Sequence, residues 1–429
     1  MIAPMFAKRT RKAELAWPRR LCLALLSLIR EGSLTVVEGP RRHEFGRGAP
    51  HATLDVHSPA FWTALLRGSR GLAEAYADGL WDTPDLTAVI RVAARNAEII
   101  DEPRRRLTPL REPYQLARSA LVRNTPGRSR RDISAHYDLG NELFELMLDP
   151  TMMYSSARFL RPGMTLEEAS VAKLDLACDK LDLGPADHVL EIGTGWGGFA
   201  VHAALTRGCR VTTTTLSREQ RDHARARVRE AGVEDRVTIL LDDYRDLRGT
   251  YDKLVSIEMI EAVGWKDFGT FFERCGALLE PNGSMLLQAI TIDDRAYKVE
   301  RASKSFIRTH IFPNGCLPSI EVITRSVARR TDMRLVHLED FGADYAETLR
   351  RWRTNLEANA DTVEALGYDE RFRRMWRMYL CYCEAGFDER RIGVAQALLA
   401  KPLAHRYDTV SRAPRSADRR IASQTSAAR

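Results

Sequence analysis

Long apolar runs are missing from this sequence of 429 residues. The apolar run near its start, Leu21–Ile29, is much shorter than the roughly 20 residues that a helix needs to cross a bilayer. The run follows Arg19 and Arg20, and no small-x-small cleavage site comes after it, so a secretory signal peptide is not indicated. We expect no membrane span and interpret the run as an amphipathic or buried helix that can rest on a membrane surface.

Paired cysteines are also missing. The seven cysteines are scattered, and none forms a Cys-x-x-Cys pair. Neither a disulfide framework nor a metal site is therefore expected, and a reducing cytoplasm fits best.

Acidic residues are scarce at both ends of the chain. Residues 1–135 carry 23 Lys and Arg against 14 Asp and Glu, and residues 401–429 carry 7 against 2, although the net charge is only +7. This asymmetry indicates a polyanionic partner, either an anionic membrane or nucleic acid. The alternative is an arginine-rich surface that binds neither.

Glycine is concentrated in one loop. Residues Val189–Ala200 read Val-Leu-Glu-Ile-Gly-Thr-Gly-Trp-Gly-Gly-Phe-Ala, an apolar strand followed by a glycine turn that opens a helix. Gly193, Gly195, Gly197 and Gly198 let the backbone take positive φ and approach a ligand, and the helix start offers free N–H groups. The segment predicts a nucleotide-binding loop.

The next predicted strand lacks an acid. The glycine spacing also satisfies the dinucleotide fingerprint, which expects Asp or Glu about 20 residues further on to hold the ribose. Arg210–Ser217 contains neither. Together with Glu191 and the Gly-Gly pair, this favours S-adenosylmethionine (SAM) over NAD. Thr215, Ser217 and Gln220 can hydrogen-bond ribose hydroxyls instead.

Helical and strand patterns alternate from about residue 165 onward. Strands are predicted at His188–Ile192, Arg210–Thr215, Val237–Leu241, Lys253–Ile257 and Ser284–Ile290, with helical patterns at Leu166–Leu181, Arg218–Ala231 and Phe268–Leu279 and between the first two strands. This order predicts an α/β fold with a doubly wound parallel sheet. Beyond residue 319 the chain becomes helical and aromatic.

The domain prediction follows from composition. Residues 1–125 mix short strands and helices and are expected to form a smaller, basic α+β domain that faces the polyanionic partner, and the turn-rich stretch 123–131 marks its boundary. Residues 126–405 form the catalytic domain. Residues 406–429, rich in Ser, Ala and Arg, form a disordered tail.

Several separated motifs have a family likeness. They are His136–Asn141 with Asp149–Phe159, Ile311–Ser319, Asp344–Leu349 and Tyr379–Phe387. In this order they resemble the cyclopropane-fatty-acyl-phospholipid synthase family of SAM-dependent enzymes over about residues 130–400, and Gly71–Trp81 resembles its amino-terminal domain. The resemblance implies a Rossmann-like methyltransferase sheet and methyl transfer from SAM to the cis double bond of an unsaturated phospholipid acyl chain.

The resemblance also implies a set of SAM contacts: Tyr154, Ser155, Val189, Glu191, Gly193, Gly195, Gly197, Thr215, Leu216, Ser217, Gln220, Tyr244 and Arg245. An anionic phospholipid surface then becomes the expected partner of the basic amino terminus, with the enzyme on the inner face of the cytoplasmic membrane. A homodimer is a further expectation.

Catalytic residues follow from the same resemblance. In this family a bicarbonate ion takes the final proton. Glu261, Tyr345 and Cys383 occupy the family's glutamate, tyrosine and cysteine positions, whereas Ser156 and Gln288 replace its usual Cys and His. Because an amide neither titrates nor carries charge, we expect bicarbonate to bind less well here.

The product stays open between a cyclopropane ring and a branch. Glu-Met-Ile-Glu-Ala-Val-Gly at 258–264, with Gln-Ala-Ile-Thr at 288–291, resembles fatty acid methyltransferases of the tuberculostearic-acid type, which make methyl- or methylene-branched chains. Such enzymes need a separate reductase to complete a methyl branch. Cys383 favours the ring. Two other functions also remain: a nucleic-acid methyltransferase and a non-catalytic lipid-binding homologue.

Overall fold

The structure, a computed structural model, describes residues 17–99, 140–303, 305–313 and 315–404. These residues form two compact units. The first unit combines the amino-terminal part of the chain with Lys298–Pro313 and Leu349–Ile392, and the second contains the rest. The predicted linker at 123–131 and the predicted tail at 406–429 lie outside the described residues.

Both units mix helices and strands. The strands are β1 Gly32–Glu38, β2 Arg41–Arg47, β3 His51–Val56, β4 Trp81–Asp82, β5 His188–Ile192, β6 Arg210–Thr214, β7 Val237–Leu240, β8 Tyr251–Ile257, β9 Leu279–Ile292, β10 Arg334–Asp340 and β11 Ile392–Ala400. The helices are α1 (residues 17–26), α2 Ala60–Leu65, α3 Ser69–Ala77, α4 Leu86–Arg95, α5 Asn141–Met147, α6 Leu166–Lys180, α7 Gly198–Arg207, α8 Arg218–Glu230, α9 Phe268–Ala277, α10 Tyr297–Ala302, α11 Ile320–Arg330, α12 Gly342–Ala358, α13 Ala360–Ala365 and α14 Glu370–Asp388.

The first unit is built on a four-stranded sheet in the order β2-β1-β3-β4. β1 pairs antiparallel with β2 and parallel with β3. Trp62 and Trp81 are fully buried in its core. Gly71 lets α3 approach α2 closely, because a Cβ there would lie 1.8 Å from the carbonyl oxygen of Ala64.

The second unit contains a seven-stranded sheet in the order β10-β11-β9-β8-β5-β6-β7. β5 pairs in parallel with both β6 and β8, and β7 and β9 extend the parallel part on either side. The doubly wound α/β fold predicted from the sequence is therefore confirmed. Its helices begin at local caps; for example, Thr165 and Glu168 form a capping box at the start of α6.

Side chains that alternate along the strands pack into two hydrophobic cores, one on each face of this sheet. Leu190, Leu254 and Met285 pack with α9 and α11. Their neighbours on the same strands, including Val189 and Val255, pack with α6 and α7. Because helices cover both faces, the central strands are apolar throughout rather than alternating with polar residues.

Three findings differ from the sequence analysis or extend it. β10 and β11 lie in the region expected to be helical, and β11 is mostly buried on both faces, so it lacks the alternation that marks a strand. Residues 349–392 belong to the first unit, where α14 packs against α3 and α4. Within the described ranges, no helix is long and apolar enough to span a membrane.

Candidate active site

The candidate site lies at the carboxyl edge of the parallel strands in the second unit. The chain order of the strands reverses at β5, which pairs with β6 on one side and β8 on the other. Ligands of open α/β sheets bind at such a switch point. The glycine loop follows β5, Thr215 follows β6, and Glu258 follows β8.

The glycine loop leaves β5 in conformations that favour glycine. Gly193, Gly195 and Gly197 have φ angles of 108°, 51° and 85°. The N–H groups of Gly193 and Thr194 both donate to the Thr214 carbonyl at 3.1 Å, which ties the loop to the end of β6. A Cβ on Gly195 would meet no atom within 4 Å. The loop thus leaves room for a nucleotide beside the start of α7.

Gly198 has a packing role. A Cβ at this position would lie 2.6 Å from the Thr151 carbonyl oxygen, so segment 151–156 rests directly on the loop. That segment carries Tyr154, whose ring meets Phe144 edge-on at 5.3 Å between centroids. The local packing brings the predicted SAM contacts of segment 151–156 to the glycine loop.

The segment after β6 is held by side-chain hydrogen bonds. Thr215 Oγ1 donates to Gln220 Oε1 at 2.8 Å, which leaves the amide NH2 of Gln220 as its donor group for a ligand. Ser217 caps α8 instead, because its Oγ accepts from the Gln220 N–H at 3.2 Å and donates to Glu219 at 3.1 Å. Leu216 between them is partly exposed.

Glu191 is buried within the sheet. Its carboxylate accepts from Thr213 Oγ1 at 2.6 Å, and Thr213 also shares a hydrogen bond of 2.7 Å with Thr194. Burial raises the pKa of Glu191 to about 8. The side chain therefore braces the base of the loop.

The other predicted SAM contacts have defined surroundings. Val189 is a core residue. Tyr244 packs edge-on against Phe271 at 5.5 Å between ring centroids. Arg245 donates to both carboxylate oxygens of Asp243 at 2.7 Å. Among the described residues, no cluster of three or more His, Cys, Asp or Glu could hold a metal ion.

Glu258 collects hydrogen bonds from three predicted site residues. Its Oε1 accepts from Gln288 Nε2 at 2.8 Å and from the Ser156 N–H at 2.9 Å. Its Oε2 accepts from the Tyr345 hydroxyl at 2.5 Å. Burial raises the pKa of Glu258, and these donors offset part of the rise. Glu258 also has a φ of 52°, which is strained for a residue with a side chain.

A chain of hydrogen bonds fixes the Gln288 amide. Lys180 can only donate, and its Nζ lies 2.6 Å from Gln396 Oε1. Gln396 Nε2 then donates to Gln288 Oε1 at 2.9 Å. The NH2 group of Gln288 must therefore point at Glu258.

Glu261 provides a second carboxyl group near Glu258. Its Oε1 accepts from the Ile290 N–H at 2.6 Å, whereas its Oε2 is buried without a hydrogen-bond partner in the described part of the chain. Burial, and then the charge of Glu258, raise the pKa of Glu261 to about 8. Because two neighbouring carboxyl groups resist ionising together, the pair favours a state in which one of them keeps its proton.

A buried lysine supplies positive charge nearby. Lys173 of α6 has no exposed surface, and its Nζ donates to Ser155 Oγ at 2.8 Å. Burial lowers its pKa to about 8, and the charge of Glu258 acts against this shift. Lys173 thereby anchors Ser155 of segment 151–156.

The predicted catalytic residues differ in the unit to which they belong and in the group that they contribute. Ser156 contributes its backbone N–H, because its hydroxyl donates to the Ala157 carbonyl at 3.0 Å. Tyr345 and Gln288 meet at Glu258 in the second unit. Cys383 lies in α14 of the first unit, where burial raises its pKa to about 12, so it is a neutral thiol at physiological pH.

Sequence reasoning missed Glu258 and Lys173. A signal existed for each. Glu258 directly follows a predicted strand, three residues before Glu261. Lys173 lies on the same face of α6 as Leu166 and Ala177, which are buried.

Comparisons with known proteins identify the family. A family model described as mycolic acid cyclopropane synthetase matches residues 125–397. The tuberculostearic acid methyltransferase UfaA1 of Mycobacterium tuberculosis is 37% identical over 384 residues, covering 86% of this chain and 89% of that protein. The cyclopropane-fatty-acyl-phospholipid synthase of Escherichia coli is 37% identical over 357 residues, covering 82% of this chain and 89% of that protein.

Solved structures agree with the sequence matches. The cyclopropane synthase MmaA2 from Mycobacterium tuberculosis has a TM-score of 0.59 and 34% identity, covering 63% of this chain and 98% of that chain. Mycolic acid cyclopropane synthase CmaA1, solved with SAH and CTAB, has a TM-score of 0.59 and 33% identity, with the same coverage. These matches favour the lipid-modifying enzyme over the nucleic-acid methyltransferase and over the non-catalytic homologue. The chain therefore belongs to the cyclopropane-fatty-acyl-phospholipid and mycolic acid cyclopropane synthase family, and it is a SAM-dependent methyltransferase.

Proposed function

We propose that this enzyme transfers a methyl group from SAM to the cis double bond of unsaturated acyl chains in phospholipids. The observation that carries the proposal is the pair of carboxyl groups, Glu258 and Glu261, with Tyr345 at the edge of the sheet that bears the glycine loop. An alkene that accepts a methyl group becomes a carbocation and must then lose a proton. A carboxylate held away from bulk water both stabilises the cation and accepts the proton.

The residues around the loop fit SAM. The positive φ angles and the open space at Gly195 suit a nucleotide at the start of α7. When bound, SAM supplies an electrophilic methyl group on its sulfonium sulfur. We assign the ribose to Thr215 and Gln220, and the adenine side to Tyr244 and Arg245.

The remaining predicted SAM contacts have two kinds of role in this proposal. Tyr154 and the backbone of segment 151–156 face the cofactor from the side of α5. Glu191 and Ser217 shape the loops through the hydrogen bonds that they make within the protein. A shift in SAM affinity on truncation of Gln220 or Tyr154, without loss of folding, supports these assignments.

Lipid analysis tests the proposed activity. The chain is expressed in a bacterial host that makes monounsaturated phospholipids, and the fatty acyl esters are examined by mass spectrometry. We expect monounsaturated chains to gain one CH2 unit. Oxidative cleavage then separates the two products, because a methylene branch is cleaved and a cyclopropane ring is not. Acyl chains identical to those of a host with an empty vector would contradict the proposal.

We also propose that α1 attaches the enzyme to an anionic phospholipid surface. Its outer side exposes Trp17, Leu21 and Leu25 at spacings of four residues, with exposed fractions of 65%, 36% and 52%. On its inner side, Cys22 is buried and its thiol donates to the Trp62 carbonyl. An exposed apolar stripe of this kind is suited to the headgroup boundary of a bilayer.

Basic residues flank this stripe. Arg19 joins α1 to the β1–β2 hairpin through Glu38 at 2.7 Å and His43 at 3.1 Å. The hairpin exposes Arg41, and Arg20 is exposed on α1 itself. Cationic side chains around an apolar stripe match an anionic lipid surface.

Fluorescence tests the attachment. We expect a blue shift of tryptophan emission when vesicles of anionic phospholipid are added, and the W17F variant should bind the same vesicles with less of this shift. An equal shift in the wild type and W17F would place the contact elsewhere. Reduction of a methylene-branched product to a methyl branch would additionally require a separate reductase as a partner.

A further inference from the structure

One buried carboxylate fills the position that the family resemblance gave to an external anion. We propose that the Glu258 carboxylate is itself the base that takes the proton from the methylated acyl chain, and that the enzyme needs no bicarbonate. The inference rests on the methyl transfer proposed above.

Donor groups on three of the five residues expected around bicarbonate already bind Glu258. Gln288 Nε2, the Ser156 N–H and the Tyr345 hydroxyl all donate to Glu258, at 2.8, 2.9 and 2.5 Å. Glu258 and Glu261 are neighbouring carboxyl groups that already resist ionising together, so a further anion beside them would add to that repulsion. The residues therefore do not fit a bicarbonate ion, and the protein's own carboxylate takes its place.

The surroundings of Glu258 are built for an anion. The chain from Lys180 through Gln396 forces the amide of Gln288 to present its NH2 group rather than its oxygen. Glu258 has a positive φ, a backbone conformation that only glycine adopts without strain, and yet a glutamate stands there. Strain of this kind is characteristic of functional positions.

The two carboxylate oxygens differ in what they can still accept. Oε1 already accepts two hydrogen bonds, from Gln288 and Ser156, whereas Oε2 accepts one, from Tyr345. The residue as a whole keeps some exposed surface, although its carboxyl group is enclosed by these donors. The proton-accepting atom is therefore assigned to Oε2.

The proton transfer balances without a further reactant. Methyl transfer breaks the sulfur–carbon bond of SAM and leaves positive charge on an acyl carbon. For a ring, a C–H bond of the new methyl group then breaks, its electron pair forms the ring bond to the cationic carbon, and its proton forms an O–H bond at Glu258 Oε2. For a methylene branch, a hydride first moves from the methylated carbon to its cationic neighbour, and the same methyl C–H bond then breaks, so that its electron pair forms the methylene double bond and its proton goes to Glu258 Oε2. The protonated carboxyl group returns its proton to solvent after product release.

Variants of Glu258 test the inference with labelled SAM and vesicles of unsaturated phospholipid in CO2-free buffer. We expect the wild type to be equally active with and without bicarbonate. E258G, which relieves the backbone strain, should lose activity by about 100-fold or more and regain part of it with formate, because the vacated donors can hold a small anion. E258Q should not be rescued, since its amide fills the space. E273Q, at an exposed glutamate of α9, is the matched control and should keep full activity.

Calorimetry gives a readout without turnover. Formate should bind E258G saturably and should not bind the wild type, and SAM affinity should be similar in both. Bicarbonate activation of the wild type, or full activity of E258G, would overturn the inference. If E258G binds formate but the wild type methylates no acyl chain, the proposed function fails while the anion-binding role of this position is retained. If E258G does not fold, titration of bicarbonate into the wild type decides: saturable binding contradicts the inference, and its absence supports it.

Discussion

Removal of the Tyr345 hydroxyl should change the pH dependence of the enzyme. In Y345F, Glu258 Oε2 loses the donor at 2.5 Å, while Gln288 and the Ser156 N–H still hold Oε1. The lost bond favours the ionised carboxylate, so its removal raises the pKa of Glu258 further above its usual range. The ionised base becomes scarcer at neutral pH.

The expected loss follows from the strength of that bond. A hydrogen bond to a charged group contributes about 1.5–3 kcal/mol. Since about 1.4 kcal/mol corresponds to a tenfold change, kcat/KM of Y345F should fall by roughly 10- to 100-fold at neutral pH. The acid limb of its pH profile should move to higher pH, and activity should recover there. The profile is measured with labelled SAM and phospholipid vesicles between pH 5 and pH 10.

A matched variant controls for loss of a tyrosine hydroxyl as such. Tyr251 lies at the opposite end of β8, where its hydroxyl donates to the Arg248 carbonyl at 3.3 Å. Y251F should keep the wild-type profile. If Y345F lost the same factor at every pH, or lost nothing, Tyr345 would not act through the ionisation of Glu258.

Two further predictions concern stability, and one concerns membrane binding. Burial raises the pKa of Glu191 from 4.5 to about 8, so between these pH values the folded protein keeps a proton that the unfolded chain has lost. The free energy of unfolding should therefore fall as the pH rises from 4.5 to 8, by up to about 1.4 kcal/mol per pH unit. E191Q should lack this contribution to the pH dependence of stability. If the melting temperatures of E191Q and the wild type changed with pH in parallel, the raised pKa of Glu191 would be contradicted. G71A should lower the free energy of unfolding by about 1–3 kcal/mol in denaturant titration, because its Cβ would lie 1.8 Å from the Ala64 carbonyl oxygen. The control variant G184A has space for a Cβ and should lower this free energy by less than about 0.5 kcal/mol. L21S/L25S should weaken binding to anionic vesicles at least tenfold in co-sedimentation, and unchanged binding would remove α1 from the contact.

Much of the second unit could be predicted because its local signals agree. The predicted strands and helices between residues 166 and 290 correspond to α6–α9 and β5–β9 within a few residues at each end. The strands are short, turn residues separate them, and the helices begin at polar caps such as Ser217. β11 was missed because its Ala, Leu and Gln residues also favour helix, and only its place in the sheet makes it a strand.

The candidate site was predicted in part. Motif positions led to Tyr345 and Gln288, which do meet, but their common partner, Glu258, depends on contacts between segments far apart in the chain. Lys173 was missed because a lysine in a helix is usually exposed, and only its position on the buried face of α6 indicated otherwise. The packing of α14 with α3 and α4 likewise joins distant segments that carry no local signal for each other.

The most direct test of the proposed methyl transfer uses SAM whose methyl group is fully deuterated. Purified enzyme is incubated with vesicles of monounsaturated phospholipid, and the acyl esters are analysed by mass spectrometry. If a carboxylate removes a proton from the transferred methyl group, the added carbon should keep two of its three deuterium atoms in a ring or a methylene branch. Label confined to the headgroup, or an added carbon that keeps all three, would contradict this account.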